Sequence, residues 1–254
     1  MSARSFIRIS ALALIAAAGC HSSAPGTASS EPITLAAAAS LRSVLPSLAK
    51  AFGAPDMAIT YGASGDLKRQ VEHGAPVDAV LFASSAPVDA LIKGGLADAD
   101  SRKVLATNQL VLIGPKGGKP LTFATIDQLP AGERIAIGDP GAVPAGQYAR
   151  DLFQKLGKWD VVQAHLVLAG DVGQVLAYAR RGEVAAAVVY RTDLHNVDDV
   201  AILDEAKGDQ APRPEVVAAI THGGHAAARA RAFLDFIASP PGQKILHEFG
   251  FGPP

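Results

Sequence analysis

From Ile33 onward the sequence alternates between two hydrophobic periods, and this limits the folds open to it more than any other feature. ITLAAAA (33–39) is a short unbroken apolar run, the pattern of a strand buried on both faces. SLRSVLPSLAKAF follows, with Leu41, Val44, Leu45, Leu48 and Phe52 at helical spacing and Ser40 at the expected N-cap. MAITYG then precedes the helical SGDLKRQVEHG, with Ser64 near its start and Gly74 just past its end. VDAVLFA and PVDALIKGG repeat the pairing. A second series runs through NQLVLIGPKG, RIAIGDP, a helix over 146–157, HLVLAG, DVGQVLAYARRG and AAAVVYRTDL. PEVVAAITHG is a late strand, and HAAARARAFLDFIAS and PGQKILHEFGF close the chain as helices. The order predicts an α/β protein with parallel-rich sheets flanked by helices. It divides into lobe 1 (32–110 plus 216–254) and lobe 2 (111–215).

The first twenty residues do not share this pattern. MSARSFIRIS carries Arg4 and Arg8 and no acid, and ALALIAAAGC adds a short apolar stretch ending in small residues. Residues 1–20 therefore read as an export signal, too short to span a membrane as a helix. Cys20 is the chain's only cysteine, and AAGC resembles a bacterial lipobox, so residue 20 is the expected lipidation site. Ala17 stands where that pattern prefers Leu, which keeps ordinary cleavage as the alternative. HSSAPGTASSE (21–31) reads as a flexible tether, and the mature chain has no disulfide to form. The expected location is the periplasm or cell envelope, with membrane contact through the lipid.

The charge and residue pattern argue against several functions. Net charge is −1 and no Lys/Arg run occurs, which argues against nucleic acid as a partner. Ser64 lies in GASGD, but a nucleophile elbow needs Gly where Asp66 stands. His222 and His225 form HGGH in a loop with no third ligand at a familiar spacing, and Asp139 in GDPG is a natural turn residue. There is no Gly-rich phosphate loop with its Lys. Neither an enzyme nor a resident metal or cofactor is expected.

What recurs instead is a strand, a small or polar turn and a helix start: AAAASL at Ser40, YGASGD at Ser64, VPAG at Ala145 and GDVG at Val172. Such turns gather at the carboxyl ends of parallel strands, where helix N-termini offer free N–H donors to an anion. Taken one at a time, Ser40 and Ser64 as caps of their own helices is the simpler reading.

The chain resembles the periplasmic molybdate-binding proteins of ABC importers. ITLAAAASL, GAPVDAVLFAS, GDPGAVPAGQYARDLFQKLGKWD, AGDVGQVL and AAAVVYRTD carry the resemblance, in order, from Ile33 to Phe251. It implies a two-lobe periplasmic-binding-protein fold of type II, with molybdate or tungstate held in the interlobe cleft and no cofactor. The matching positions are Ser40 and Ser64, each giving hydroxyl and N–H, Ala145 and Val172, each giving N–H, and Tyr190, giving its phenol. A membrane permease is the implied partner, and a monomer the implied state. Gly65-Asp66 departs from the family, where Ser or another neutral residue is common, so Asp66 must turn away from the anion. Sulfate or another oxyanion is the alternative ligand, and a secreted serine hydrolase using Ser64 the alternative of another class.

Overall fold

The computed structural model describes residues 32–254; the signal, the tether and Cys20 lie outside the described residues. Its strands are β1 (Thr34–Ala38), β2 (Ala58–Gly62), β3 (Ala79–Phe82), β4 (Lys103–Thr107), β5 (Leu110–Pro115), β6 (Ile135–Gly138), β7 (Leu166–Ala169), β8 (Ala186–Tyr190), β9 (Val200–Glu205) and β10 (Glu215–Ile220). The α-helices are α1 (Leu45–Phe52), α2 (Ser64–Glu72), α3 (Ser85–Lys93), α4 (Pro144–Lys155), α5 (Trp159–Val162), α6 (Val172–Arg180), α7 (Ala227–Ala238) and α8 (Pro240–Glu248).

The strands form two five-stranded sheets, ordered β2-β1-β3-β10-β4 and β7-β6-β8-β5-β9. In each, the three strands that lead into helices pair in parallel. The strands reached by crossing from the other sheet, β10 and β5, pair antiparallel to their neighbours. Both sheets are therefore mixed, because these crossings replace helical connections with short direct ones. The two crossings lie side by side: the Asn108 N–H donates to the Pro214 carbonyl (2.9 Å).

The apolar pattern explains the layers. In β3, Val80 and Phe82 join Leu67, Val71, Val88 and Leu91 on one face, while Ala79 and Leu81 share the other with Leu35, Leu45 and Leu48. Helices thus cover both faces, as continuous apolar strands require. Phe52 ties α1 to α7 through Phe233 and Phe236, ring centroids 5.3 and 5.6 Å apart.

Three expectations need correction. Ser40 caps no helix: it lies in a 3-10 turn (Ala39–Leu41), and α1 begins only at Leu45. Pro46 explains the late start, since a proline is tolerated in a first turn but clashes deeper in a helix. Ser64 does not cap α2 either; it is the helix's first residue, and its Oγ accepts the Ala83 N–H instead (3.1 Å). Strands β4 and β9 were missed: both are partly exposed edge strands whose short apolar runs are bounded by charged residues, Lys103 in β4 and Asp204 and Glu205 in β9.

Candidate functional site

All the marked turns lie at carboxyl ends of parallel strands, and they meet. One small cavity is lined by Ser40, Ser64, Ala145, Val172 and Tyr190, together with neighbours that include Asp171. The first two follow β1 and β2 of one sheet; the other three follow or end β6, β7 and β8 of the other. The cavity measures about 10 Å³, close to the minimum for one small polar guest. No Lys, Arg or His lines it.

Local sequence explains how the backbone reaches this point. A Cβ on Gly146 would stand 1.9 Å from the Gly138 carbonyl oxygen, so only glycine lets α4 begin directly on the end of β6. That seats Ala145, in the first turn of α4, against the cavity. The α4 helix runs Pro144–Lys155, two residues ahead of the 146–157 expected, because Pro144 is itself a good first-turn residue. Asp171 caps α6 by accepting the Gln174 N–H (2.9 Å), which leaves Val172 first in the helix.

The polar groups here are buried and underused. Ser40, Ser64 and Tyr190 are 3%, 0% and 1% exposed, so water does not satisfy them. Ser40 Oγ and the Tyr190 hydroxyl have no hydrogen-bond partner among the described residues. Ser64 Oγ spends an acceptor position on Ala83, which leaves its own hydrogen to donate. The N–H groups of Ser40, Ser64, Ala145 and Val172 donate to nothing within the described protein, as first-turn positions permit. An unpaired buried hydroxyl costs about 1–3 kcal/mol. Keeping two beside four free N–H groups makes sense for a guest that accepts hydrogen bonds at every point.

The electrostatics agree. Burial, then the neighbouring Tyr148 and Asp193, hold the Tyr190 phenol well above its ordinary range, so it stays protonated and able to donate. Burial likewise pushes Tyr148 up to about 12, reinforced by the charge of Glu215. The N-termini of α2, α4 and α6 face the cavity with the positive ends of their dipoles. Nearby charged side chains are engaged elsewhere: Asp66 pairs with Arg69, and the Arg42 guanidinium lies over the Tyr61 ring at 4.5 Å. Asp66 thus turns outward, as its position required.

Sequence reasoning missed two acids at the site. Asp171 was legible as a helix cap but not as a wall of the cavity. Asp193 accepts the Tyr190 N–H (2.9 Å); burial above all, with the charge of Asp171, pushes its carboxyl up to about 7. An unfolded Asp releases its proton near pH 4. Between about pH 4 and 7 the folded chain therefore binds more protons at this residue, so its contribution to stability falls as pH rises. Asp193→Asn should flatten that decline, read as a smaller difference between thermal unfolding temperatures at about pH 5 and pH 8.

Among the described residues no cluster of three or more His, Cys, Asp or Glu is placed to hold a metal ion. No helix there is long and apolar enough to cross a membrane.

Residues 33–252 match the model of the bacterial extracellular solute-binding protein family. The putative ABC transporter substrate-binding lipoprotein YvgL of Bacillus subtilis (strain 168) is 35% identical over 247 residues, covering 94% of each chain. The molybdate-binding protein ModA of Escherichia coli (strain K12) is 34% identical over 228 residues, covering 86% of this chain and 88% of its own. In structure, the periplasmic molybdate-binding protein of Azotobacter vinelandii superposes with a TM-score of 0.78 over 87% of this chain and 99% of its own, at 23% identity, which establishes a shared fold. The chain belongs to the bacterial extracellular solute-binding proteins.

Proposed function

We propose that this protein captures molybdate, and tungstate with it, outside the cytoplasm and delivers it to the permease of an ABC importer. The carrying observation is a cavity about 10 Å³ in volume that gathers N–H and O–H donors from both sheets, with no cationic side chain on its wall and its one carboxylate, Asp171, capping α6. Ser40 and Ser64 each offer a hydroxyl and an N–H, Ala145 and Val172 an N–H, and Tyr190 its phenol. Burying an ion costs several kcal/mol, while each hydrogen bond to a charged acceptor returns about 1.5–3 kcal/mol. Together these donors can offset that cost.

These donors also set selectivity. Molybdate, tungstate and sulfate are fully deprotonated near neutrality and only accept. Phosphate keeps a proton there, which would meet these donors, because Asp171, the one carboxylate on the wall, is drawn into its cap on the Gln174 N–H. Sulfate has the same shape but is smaller, so its rejection rests on the fit of the cavity. The small volume also favours a compact tetrahedral ion over an organic solute.

The lobes are proposed as 32–110 plus 216–254 and 111–215, with the anion favouring the closed arrangement because both contribute donors. The protein works as a monomer without catalysis: Ser64 Oγ accepts the Ala83 N–H and has no histidine partner, so a fluorophosphonate probe should leave it unlabelled. The homologous YvgL is named a lipoprotein, which supports a lipid on Cys20; mass spectrometry of the mature N-terminus tests this.

Calorimetric titration tests the ligand. One equivalent of molybdate or tungstate should bind tightly and phosphate not at all; tight phosphate binding would refute the assignment. Tyr190→Phe should cost at least about 1.5 kcal/mol of molybdate affinity. The same change should leave the ligand-free protein equally or more stable, because it removes an unpaired buried hydroxyl. Unchanged affinity would remove Tyr190 from the ligand set.

A further inference from the structure

Beside the cavity a main-chain hydrogen bond joins elements of the two sheets. Gly65, second residue of α2, donates its N–H to the carbonyl of Ala142, in the loop between β6 and α4, at 3.0 Å. In this chain the approach leaves no room for a side chain unless the Ala142 backbone moves away. A Cβ on Gly65 would stand 2.8 Å from the Ala142 oxygen, 3.0 Å from its Cα and 3.2 Å from its carbonyl carbon. These are backbone atoms, which no rotamer change moves aside. Nor does conformation demand glycine here, since Gly65 is not among the residues of positive φ.

Its position gives the contact a function. Ser64 directly precedes Gly65, and Ala145 follows Ala142 by three residues, so the bond clamps one donor from each side of the cavity onto the same space. In a cavity this small, separation by a few tenths of an ångström lengthens every hydrogen bond that spans it. We propose that Gly65 is a positioning residue that sets how far the site closes on its anion: the missing side chain lets the Ser64 and Ala145 donors reach one ion together. The inference rests on the oxyanion reading above.

The test compares the unsubstituted protein with Gly65→Ala and Gly65→Val by calorimetric titration with molybdate, and by thermal unfolding with and without molybdate. Gly65→Ala should raise Kd about tenfold, the worth of one weakened hydrogen bond, and Gly65→Val should raise it further. The ligand-free unfolding temperature should not change, because an empty cleft can open and relieve the clash. Tight binding by the unsubstituted protein, with Kd within about twofold in both variants, would overturn this inference alone. Equal losses of unfolding temperature with and without molybdate would also overturn it, by placing the role of Gly65 in the fold. No binding by the unsubstituted protein would overturn the oxyanion reading and this inference with it.

Discussion

Val172→Pro should weaken molybdate binding by about 3 kcal/mol, roughly a hundredfold, while the protein still folds. Val172 opens α6, a position that accepts proline readily. Asp171 before it is already extended, at φ −153° and ψ 172°, as a residue preceding proline prefers. The Val172 N–H donates to nothing in the described protein, so no internal bond is lost. What disappears is a main-chain donor to the anion, and a ring carbon takes its place against a charged oxygen. The effect should therefore exceed that of Tyr190→Phe, which only leaves a gap. Titration calorimetry, alongside unfolding of the ligand-free variant, checks this; an affinity within about threefold of the original would exclude the Val172 N–H as a ligand.

The second large effect concerns stability and lies away from the cavity. Asp78→Ala should destabilise the protein by about 3–5 kcal/mol, a large share of a typical folding free energy of about 5–15 kcal/mol. Asp78 is 1% exposed, at the head of β3. Its carboxylate accepts the Thr34 N–H and hydroxyl, both at 2.7 Å, and the Ala226 N–H at 2.6 Å. It thereby fastens the start of β1 and the entry to α7 to the same strand. Alanine would strand the buried Ala226 N–H and the part-buried Thr34 N–H without their acceptor. Denaturant unfolding measures the loss, and molybdate affinity of the folded fraction should stay unchanged. A loss below about 1 kcal/mol would mean that these donors find other partners.

Much of this architecture was legible because buried parallel strands and amphipathic helices carry strong periodic signals. ITLAAAA, MAITYG, RIAIGDP and HLVLAG gave their strands directly, and the turns after them placed Ser40, Ser64, Ala145 and Val172 on the same edge. The roles of the serines were not legible. Capping is a local rule, whereas Ser64 answers to Ala83, nineteen residues away, and Ser40 was displaced from its cap by Pro46. Edge strands β4 and β9 are partly exposed and mix charged residues with short apolar runs, which weakens their signal. The bond from the Tyr190 N–H to Asp193 is local, three residues apart, but the burial of Asp193 and the Gly65–Ala142 contact depend on tertiary approach, which spacing in sequence does not encode.

The central claim is that a buried dianion is held by main-chain amides and hydroxyls with no cationic side chain against it. A crystal structure of the molybdate complex, with the metal located by anomalous scattering at the molybdenum edge, tests it directly. The account predicts one molybdenum peak between Ser40, Ser64, Ala145, Val172 and Tyr190, every close protein contact to its oxygens being an N–H or O–H donor from those residues. A peak elsewhere, or a lysine or arginine seated on the ion, would contradict it.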